Sequence, residues 1–253
     1  MAEQEKRKAP AIYTNLRKHY IAVPEAMKKA SGIVVNGRRF KSLLFTTDIA
    51  IIMNNDAHAI MAVYPFTPHP AILQSVTSVA SIPVFAGVGG GITNGVRSAN
   101  IALFAEAHGC LGVVVNAPTP IETIQAIEET IDIPIIATVV SEFTDIQEKL
   151  DAGVDIINVS GGKRTAFIVR EIRKQYPDLP IIATGGPTDE SILETIEAGA
   201  NAITFTPPEN GVLFSRIMDN YREKEEQSFI EEQEKTEEEK IEETEKEPKE
   251  EKE

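Results

Sequence analysis

Two short apolar patterns alternate along this chain, and their alternation restricts the fold more than any other feature. The first is a proline followed by a β-branched run: IPVFAGVGGG (82–91), IPIIATVV (133–140) and LPIIATGG (179–186). Their prolines, Pro83, Pro134 and Pro180, lie 51 and 46 residues apart. The second is a glycine turn followed by a similar run: HGCLGVVVNA (108–117), DAGVDIINVS (151–160) and EAGANAITFT (197–206). Here Gly109, Gly153 and Gly199 are 44 and 46 residues apart. A repeat of this kind is one supersecondary unit that buries its apolar face only against its neighbours.

Runs of Val and Ile with no polar alternation suit strands buried on both faces, as in a parallel sheet. A proline at the strand's start removes an N–H where the ladder needs it least. Between the runs lie amphipathic stretches such as 120–131, where Ile121, Ile124, Ile127 and Ile131 share one helical face. Thr119 before Pro120, and Thr188 with Asp189, are placed to cap helix N-termini. Gly153 and Gly199 are placed to end helices. The pattern predicts strands at 41–46, 59–64, 82–87, 111–115, 133–138, 155–159, 180–184 and 201–205. Eight strands that each lead into a helical segment imply an α/β fold, a (β/α)8 TIM barrel over 31–222. The first βα unit is thin, because DIAIIMNN (48–55) is short for a barrel helix. Residues 1–30 form an N-terminal helical lead-in, with a helix or two over 12–30 covering the bottom of the barrel. Residues 223–253 form an acidic tail, disordered or at most an exposed helical extension, since thirteen Glu and five Lys fall within 231–253.

That tail carries more than half of the formal net charge of −14. The rest of the chain lacks an evident basic stripe, which argues against nucleic acid as a partner. A cluster of Arg17, Lys18, Lys28, Lys29, Arg38, Arg39 and Lys41 weakens that objection only if folding gathers it on one face. Cys110 is the lone cysteine, so neither an internal disulfide nor a thiolate metal cluster is expected. The charged N-terminus has no apolar run behind it, and no stretch of eighteen apolar residues follows. The expectation is a cytoplasmic protein with no membrane partner.

In such a barrel the chemistry belongs to the loops after the strands' C-terminal ends. Thr184, Gly185 and Gly186, ahead of a helix starting near Thr188, suit an anion at exposed backbone N–H groups. A tight turn needing glycine is the structural alternative. Ser160, Gly161 and Gly162 after strand six offer further donors, and Lys163 a cation. Gly89 and Gly90, within the glycine run 87–91, let a ligand approach the backbone closely or let the loop move. Asn116, Thr138 and Asn158 end successive strands and either bind a polyol or carbonyl or bond one another. Asp48 is the rim carboxylate, a general base or a helix cap. Of the four histidines only His69 falls on a top loop, so no metal centre is expected, although a Mg2+ ion remains open as a companion to a ligand.

The alternating repeats together with IIATGGPT (181–188) resemble the ribulose-phosphate-binding barrel group. IIATGGPT is similar to the strand-seven phosphate loop of 2-keto-3-deoxy-6-phosphogluconate aldolase, whose paired glycines match Gly185 and Gly186. TDESILETIEAGANAITF (188–205) resembles the following helix and strand in those aldolases and in the glycerol-uptake operon antiterminator barrels. The resemblance implies a phosphate cup at the barrel's top. It does not carry over the aldolase lysine, because strand six reads DIINVS (155–160), and FTPPEN (205–210) replaces the glycine pair usual after strand eight.

The reading is therefore an enzyme acting on a small, phosphorylated metabolite at the C-terminal face, its reaction left open among lyase, isomerase and hydrolase. Asp48 would serve as base and Lys163 would stabilise developing negative charge. The alternative is a non-catalytic, metabolite-sensing barrel similar to the antiterminator proteins. A homo-oligomer is compatible with either.

Overall fold

The computed structural model describes residues 10–16 and 19–246. Its centre is a closed barrel of eight parallel strands: β3 (Ser42–Phe45), β4 (Ala59–Ala62), β5 (Val84–Gly89), β6 (Gly112–Val115), β7 (Ile135–Val139), β8 (Ile156–Val159), β9 (Ile181–Thr184) and β10 (Ala202–Phe205), with β10 pairing back onto β3. All eight fall where the repeats place them. The prolines act as their chemistry requires. Each lacks an N–H, yet the carbonyls of Pro83, Pro134 and Pro180 accept from Ile60, Val113 and Ile157 of the adjoining strand at 2.8, 2.9 and 3.1 Å.

The helices follow the same logic. They are α1 (Ile49–Met53), α2 (Pro70–Val79), α3 (Val96–Ala107), α4 (Ile121–Glu128), α5 (Ile146–Asp151), α6 (Thr165–Gln175) and α7 (Asp189–Glu197). The first is a turn and a half, as its short segment implied. In α4, Ile124 and Ile127 are fully buried, while Pro120 rather than Thr119 takes the N-cap position. Thr188 caps α7 in a reciprocal box with Ser191. Gly153 and Gly199 end α5 and α7 at φ +102° and +114°, a conformation that disfavours a side chain.

The N-terminal segment departs from expectation. The described part of 12–30 is helical only in a 3-10 turn, Glu25–Lys29, packed against α7. Pro24 explains part of this, because proline cannot continue a helix and biases the preceding residue toward extended backbone. Ile21 instead pairs with Asn55, and the amide of Val23 donates to Asp56 Oδ1 at 2.7 Å. Arg17 and Lys18 lie outside the described residues.

The bottom of the barrel is closed by a hairpin, β1 (Ile33–Val35) and β2 (Arg38–Phe40), which lies outside the repeats and was not expected from them. Asn36 and Gly37 both have positive φ, +48° and +77°, the twist of a two-residue Asn-Gly hairpin turn. Its inward side chains, Ile33, Val35 and Phe40, join Leu43, Met61, Phe85, Val114, Ile136 and Ile182 in one buried cluster. The Phe40 and Phe85 rings meet at 5.0 Å, tilted by 58°. Gly112 makes room for Phe85: a Cβ there would stand 2.9 Å from that ring.

The last helix, α8 (Asn210–Lys246), belongs to a second compact unit, Pro208–Glu253. Of the two forms open to the acidic tail, the structure shows the helical extension as far as Lys246, exposed over 223–237. Its Glu- and Lys-rich sequence has good intrinsic helix propensity, but Phe214, Ile217, Tyr221 and Phe229 are left exposed along it.

Candidate functional site at the barrel mouth

Side chains alternate in and out along each strand, and the inward ones change character from bottom to top. Below lie Leu43, Phe85, Ile136, Ile156 and Ile182. At the top, a cavity of about 230 Å³ is lined by Phe45, Met61, Val63 and Val114 on one side. On the other stand Asn116, Thr138, Asn158, Ser160, Thr184, Thr204 and Thr206. No lining side chain is a carboxylate, amine or imidazole.

Only part of this polar arc satisfies itself. Asn158 donates through Nδ2 to Thr138 Oγ1 at 3.2 Å, and Thr184 Oγ1 donates to Ser160 Oγ at 3.4 Å. Asn158 Oδ1 and Thr204 Oγ1 are buried without a hydrogen-bond partner. Both residues are only 7% exposed. An unpaired buried oxygen costs about 1–3 kcal/mol, so such groups in a native fold call for a reason.

A second cavity, of about 440 Å³, opens beside the first and shares Val63 and Asn116 with it. Its remaining walls come from Tyr64 to Pro68 after β4, Gly87 and Gly89 to Thr93 at the end of β5, and Pro118. A bulge between Gly87 and Gly89 gives β5 one residue more than β6 and turns the glycine run away from the ladder. Gly89 and Gly90, named as ligand contacts, line this cavity rather than the mouth. Both are also needed for packing. A Cβ on Gly89 would lie 2.5 Å from Ser98 Oγ, and one on Gly90 2.5 Å from Asn116 Cβ.

The structure thus brings Asn116, Thr138, Asn158, Ser160 and Thr184 together on one wall. It does not bring Asp48 or Lys163 to that wall. Asp48 accepts from the amides of Ala50 and Ile51 at 2.8 and 3.2 Å, the capping role. Lys163 is exposed in a 3-10 turn, Gly162–Arg164, that leads into α6.

The four glycines of the expected anion cup have unequal parts. The Gly185 amide donates to the Thr204 carbonyl at 3.4 Å, and a Cβ there would come within 2.6 Å of Ile203 and 2.8 Å of Ile192. That glycine is required by helix-to-strand packing whatever binds. The Gly161 amide donates to Thr165 Oγ1 at 3.1 Å, and a Cβ would strike Ile168. Gly162 and Gly186 instead have positive φ, +59° and +79°. The neighbouring helix starts also differ. The first turn of α7 carries Asp189 and Glu190, which already oppose its positive end, and Pro187 beside it has no N–H. The first turn of α6 has no acid, and Lys163 and Arg164 precede it. Arg164 is held by Glu142.

Thr204 and the apolar wall of Phe45 and Val63 were not chosen from the sequence. The signal was present: ITFT (203–206) sets two threonines at i and i+2 on the inward face.

The fold places the chain among (β/α)8 barrels, and its candidate site is the cavity on the face where that fold carries its chemistry. No protein-family model matches the chain. A curated inosine-5′-monophosphate dehydrogenase from Halalkalibacterium halodurans is 36% identical over 85 residues, which is 31% of this chain and 18% of that protein. The chain therefore spans less than a fifth of that relative. A phosphonopyruvate hydrolase solved with oxalate and Mg2+ superposes with a TM-score of 0.54 at 15% identity, over 74% of this chain and 82% of that one. A mandelate oxidase superposes with a TM-score of 0.56 at 15% identity, over 70% and 68%. At this identity the likeness shows the barrel alone.

The donor set of the mouth is a poor match to a resident divalent cation. Magnesium and calcium favour carboxylate oxygens, and the mouth offers only hydroxyls and amides. Among the described residues no three of His, Cys, Asp and Glu gather into a metal-holding group. The residues do not fit such an ion. No described helix is long and apolar enough to cross a membrane.

Proposed function

We propose that this barrel is an enzyme for a small, polyhydroxylated metabolite bearing a phosphate, bound at its C-terminal mouth. The observation that carries the reading is the pair of buried oxygens without partners, Asn158 Oδ1 and Thr204 Oγ1, on the wall of the mouth. An amide oxygen in that position asks for a donor, and a ligand hydroxyl supplies one. Asn116, Thr138, Ser160, Thr184 and Thr206 extend the same neutral lining, which suits a polyol better than a charged group. The phosphate would sit at the edge of the mouth, toward Gly161, Gly162 and Lys163 on one side and Gly185 and Gly186 on the other. Of these, Gly162, Gly186 and Lys163 are the strongest contributors, since packing accounts for Gly161 and Gly185. The resemblance to phosphate-binding aldolase barrels and the partial match to an enzyme named for a nucleoside monophosphate support a phosphorylated ligand. They carry no reaction, because one fold hosts many chemistries. For lyase, isomerase or hydrolase chemistry Lys163 at the phosphate edge is the candidate electrostatic stabiliser, while Asp48, engaged in capping α1 outside the mouth lining, would act as base only on a ligand that reaches beyond that lining.

One observation favours a second reading, a non-catalytic sensor like the antiterminator barrels: the mouth lining holds no titratable side chain. Its RNA-binding form has less support. Lys28 is paired with Glu25, Lys41 donates to the Lys28 carbonyl at 2.7 Å, and Arg39 donates to the Ser31 carbonyl.

The test is thermal stabilisation of the full chain by sugar phosphates, inorganic phosphate and the matching free sugars, with and without Mg2+. A ligand that binds only the folded state raises the melting temperature. A shift for sugar phosphates that weakens in Thr204→Val and in Lys163→Ala is expected, followed by turnover of the stabilising compound. Stabilisation without turnover selects the sensor. No shift from any member removes the mouth as a polyol site.

A further inference from the structure

We infer that the 440 Å³ cavity beside the mouth is a subsite for a flat, apolar ring joined to the polyol, so that the ligand is a ring-bearing sugar and not a bare sugar phosphate. The inference rests on the polyol reading of the mouth for the second half of the ligand, and on separate observations for the first.

The two cavities adjoin through Val63 and Asn116, so one molecule can occupy both. The side chains that face the second cavity include Val63, Pro65, Phe66, Pro68, Ile92 and Pro118, with Tyr64, Thr67, Thr93 and Asn116 as its polar members. Its three prolines have no N–H and a fixed φ, which makes a rigid wall that donates nothing to a ligand. The wall also includes Gly87, Gly89, Gly90 and Gly91, whose bare peptide faces allow a planar group to lie flat. At Gly91 a Cβ would meet nothing within 4 Å, so this part of the wall is open, and the glycine there is called for by its φ of +64°.

The edges carry the strongest indication. Phe66 is 77% exposed on the β4 loop and Ile92 is 93% exposed on the β5 loop. Both line this same cavity. Neither contributes to the core, and an unsupported Phe and Ile on two loops around one hollow are what a ring would cover. Polar anchoring is available from Tyr64, whose hydroxyl accepts the His69 amide at 2.7 Å, and from Asn116. Two sources share this chemistry: a heterocycle on ribose, as in a nucleoside monophosphate, and an aryl group on a glycoside.

Calorimetric titration of the full chain with three probes decides it: ribose 5-phosphate, a purine nucleoside 5′-monophosphate, and a p-nitrophenyl glycoside 6-phosphate. The ring-bearing probes should bind at least about tenfold tighter than ribose 5-phosphate, in keeping with the apolar area a ring removes from water. Phe66→Ser with Ile92→Ser should abolish that gain and leave ribose 5-phosphate unchanged. Both side chains are exposed, so the double variant keeps its fold, which its melting temperature verifies. Preference for the nucleotide identifies the heterocycle, and preference for the glycoside the aryl group. Equal affinity for all three, or a gain that survives the double variant, overturns the subsite while leaving the mouth reading intact. Ring-dependent binding that ignores Thr204→Val upholds the subsite and overturns the polyol mouth.

Discussion

Asn158 donates its side-chain amide to the Thr138 hydroxyl across β8 and β7 at 3.2 Å, and its own carbonyl oxygen is left facing the mouth with nothing to accept. The bond fixes the rotamer and so aims the unpaired oxygen. Thr204 repeats the situation on β10. A core built only for stability would place apolar groups at both positions, because replacing an unsatisfied polar atom by a methyl is neutral or favourable.

Thr204→Val should therefore raise the stability of the unliganded protein by about 1 kcal/mol, measured by urea unfolding, while weakening ligand binding. A destabilised valine variant would mean that the hydroxyl has a partner inside the fold and that the mouth carries no demand for a ligand.

Gly185 and Gly186 should respond differently to alanine. Gly185→Ala forces a methyl against Ile203 and Ile192 and should cost about 1–3 kcal/mol, as overpacking does. Gly186→Ala meets only the Ser191 side chain but sits at positive φ, a cost of roughly 1–2 kcal/mol. Unfolding with and without a bound sugar phosphate separates the two. Loss of binding in Gly185→Ala at unchanged stability would restore that residue to the anion cup as a direct contact.

His58 couples stability to pH. Burial, and then the nearby Lys41 charge, hold its pKa below the ordinary histidine value, with Asp56 opposing. Its Nδ1 lies 2.7 Å from Ser42 Oγ. Between the depressed folded value and the unfolded value of about 6.5, the unfolded chain binds more protons. Stability is thus present above about pH 6.5 and lost as the pH falls through that window. His58→Gln should flatten this part of the melting-temperature profile. An unchanged profile would sink the assignment.

Cys110 should be inert in the folded protein. It is 5% exposed, and burial pushes its thiol up to about 12. Since the thiolate is the reactive form, a thiol-specific reagent at pH 8 should label it only on unfolding, at the global rate. Rapid labelling of native protein would show that the β6 start opens locally.

Arg173 ties the end of α6 to the start of β10. Its guanidinium donates to the carbonyls of Tyr176, Pro177, Leu179 and Gly199 and to Asn201 Oδ1, at 2.7 to 3.3 Å. Arg173→Lys keeps the charge but loses the fork, and should lose roughly 2–3 kcal/mol in denaturant unfolding. A loss below about 0.5 kcal/mol would make the fork ornamental.

The chain's own letters determined the barrel, because its strands are repeated units whose prolines, glycines and β-branched runs each have one local structural meaning. They determined the caps at Thr188, Gly153 and Gly199 for the same reason. Their places at the ends of successive apolar runs also made Asn116, Thr138 and Asn158 legible as neighbours. The hairpin was legible too, in Asn36-Gly37 between IVV and RRF, yet its closing of the barrel floor depends on where Phe40 meets Phe85. Only the tertiary structure decided that Asp48 caps a helix outside the mouth lining, that Gly185 is held by Ile192 and Ile203, and that two of the oxygens lining the mouth remain unpaired. Those are properties of distance between strands far apart in sequence, and no local pattern encodes which buried polar group finds a partner once the barrel closes.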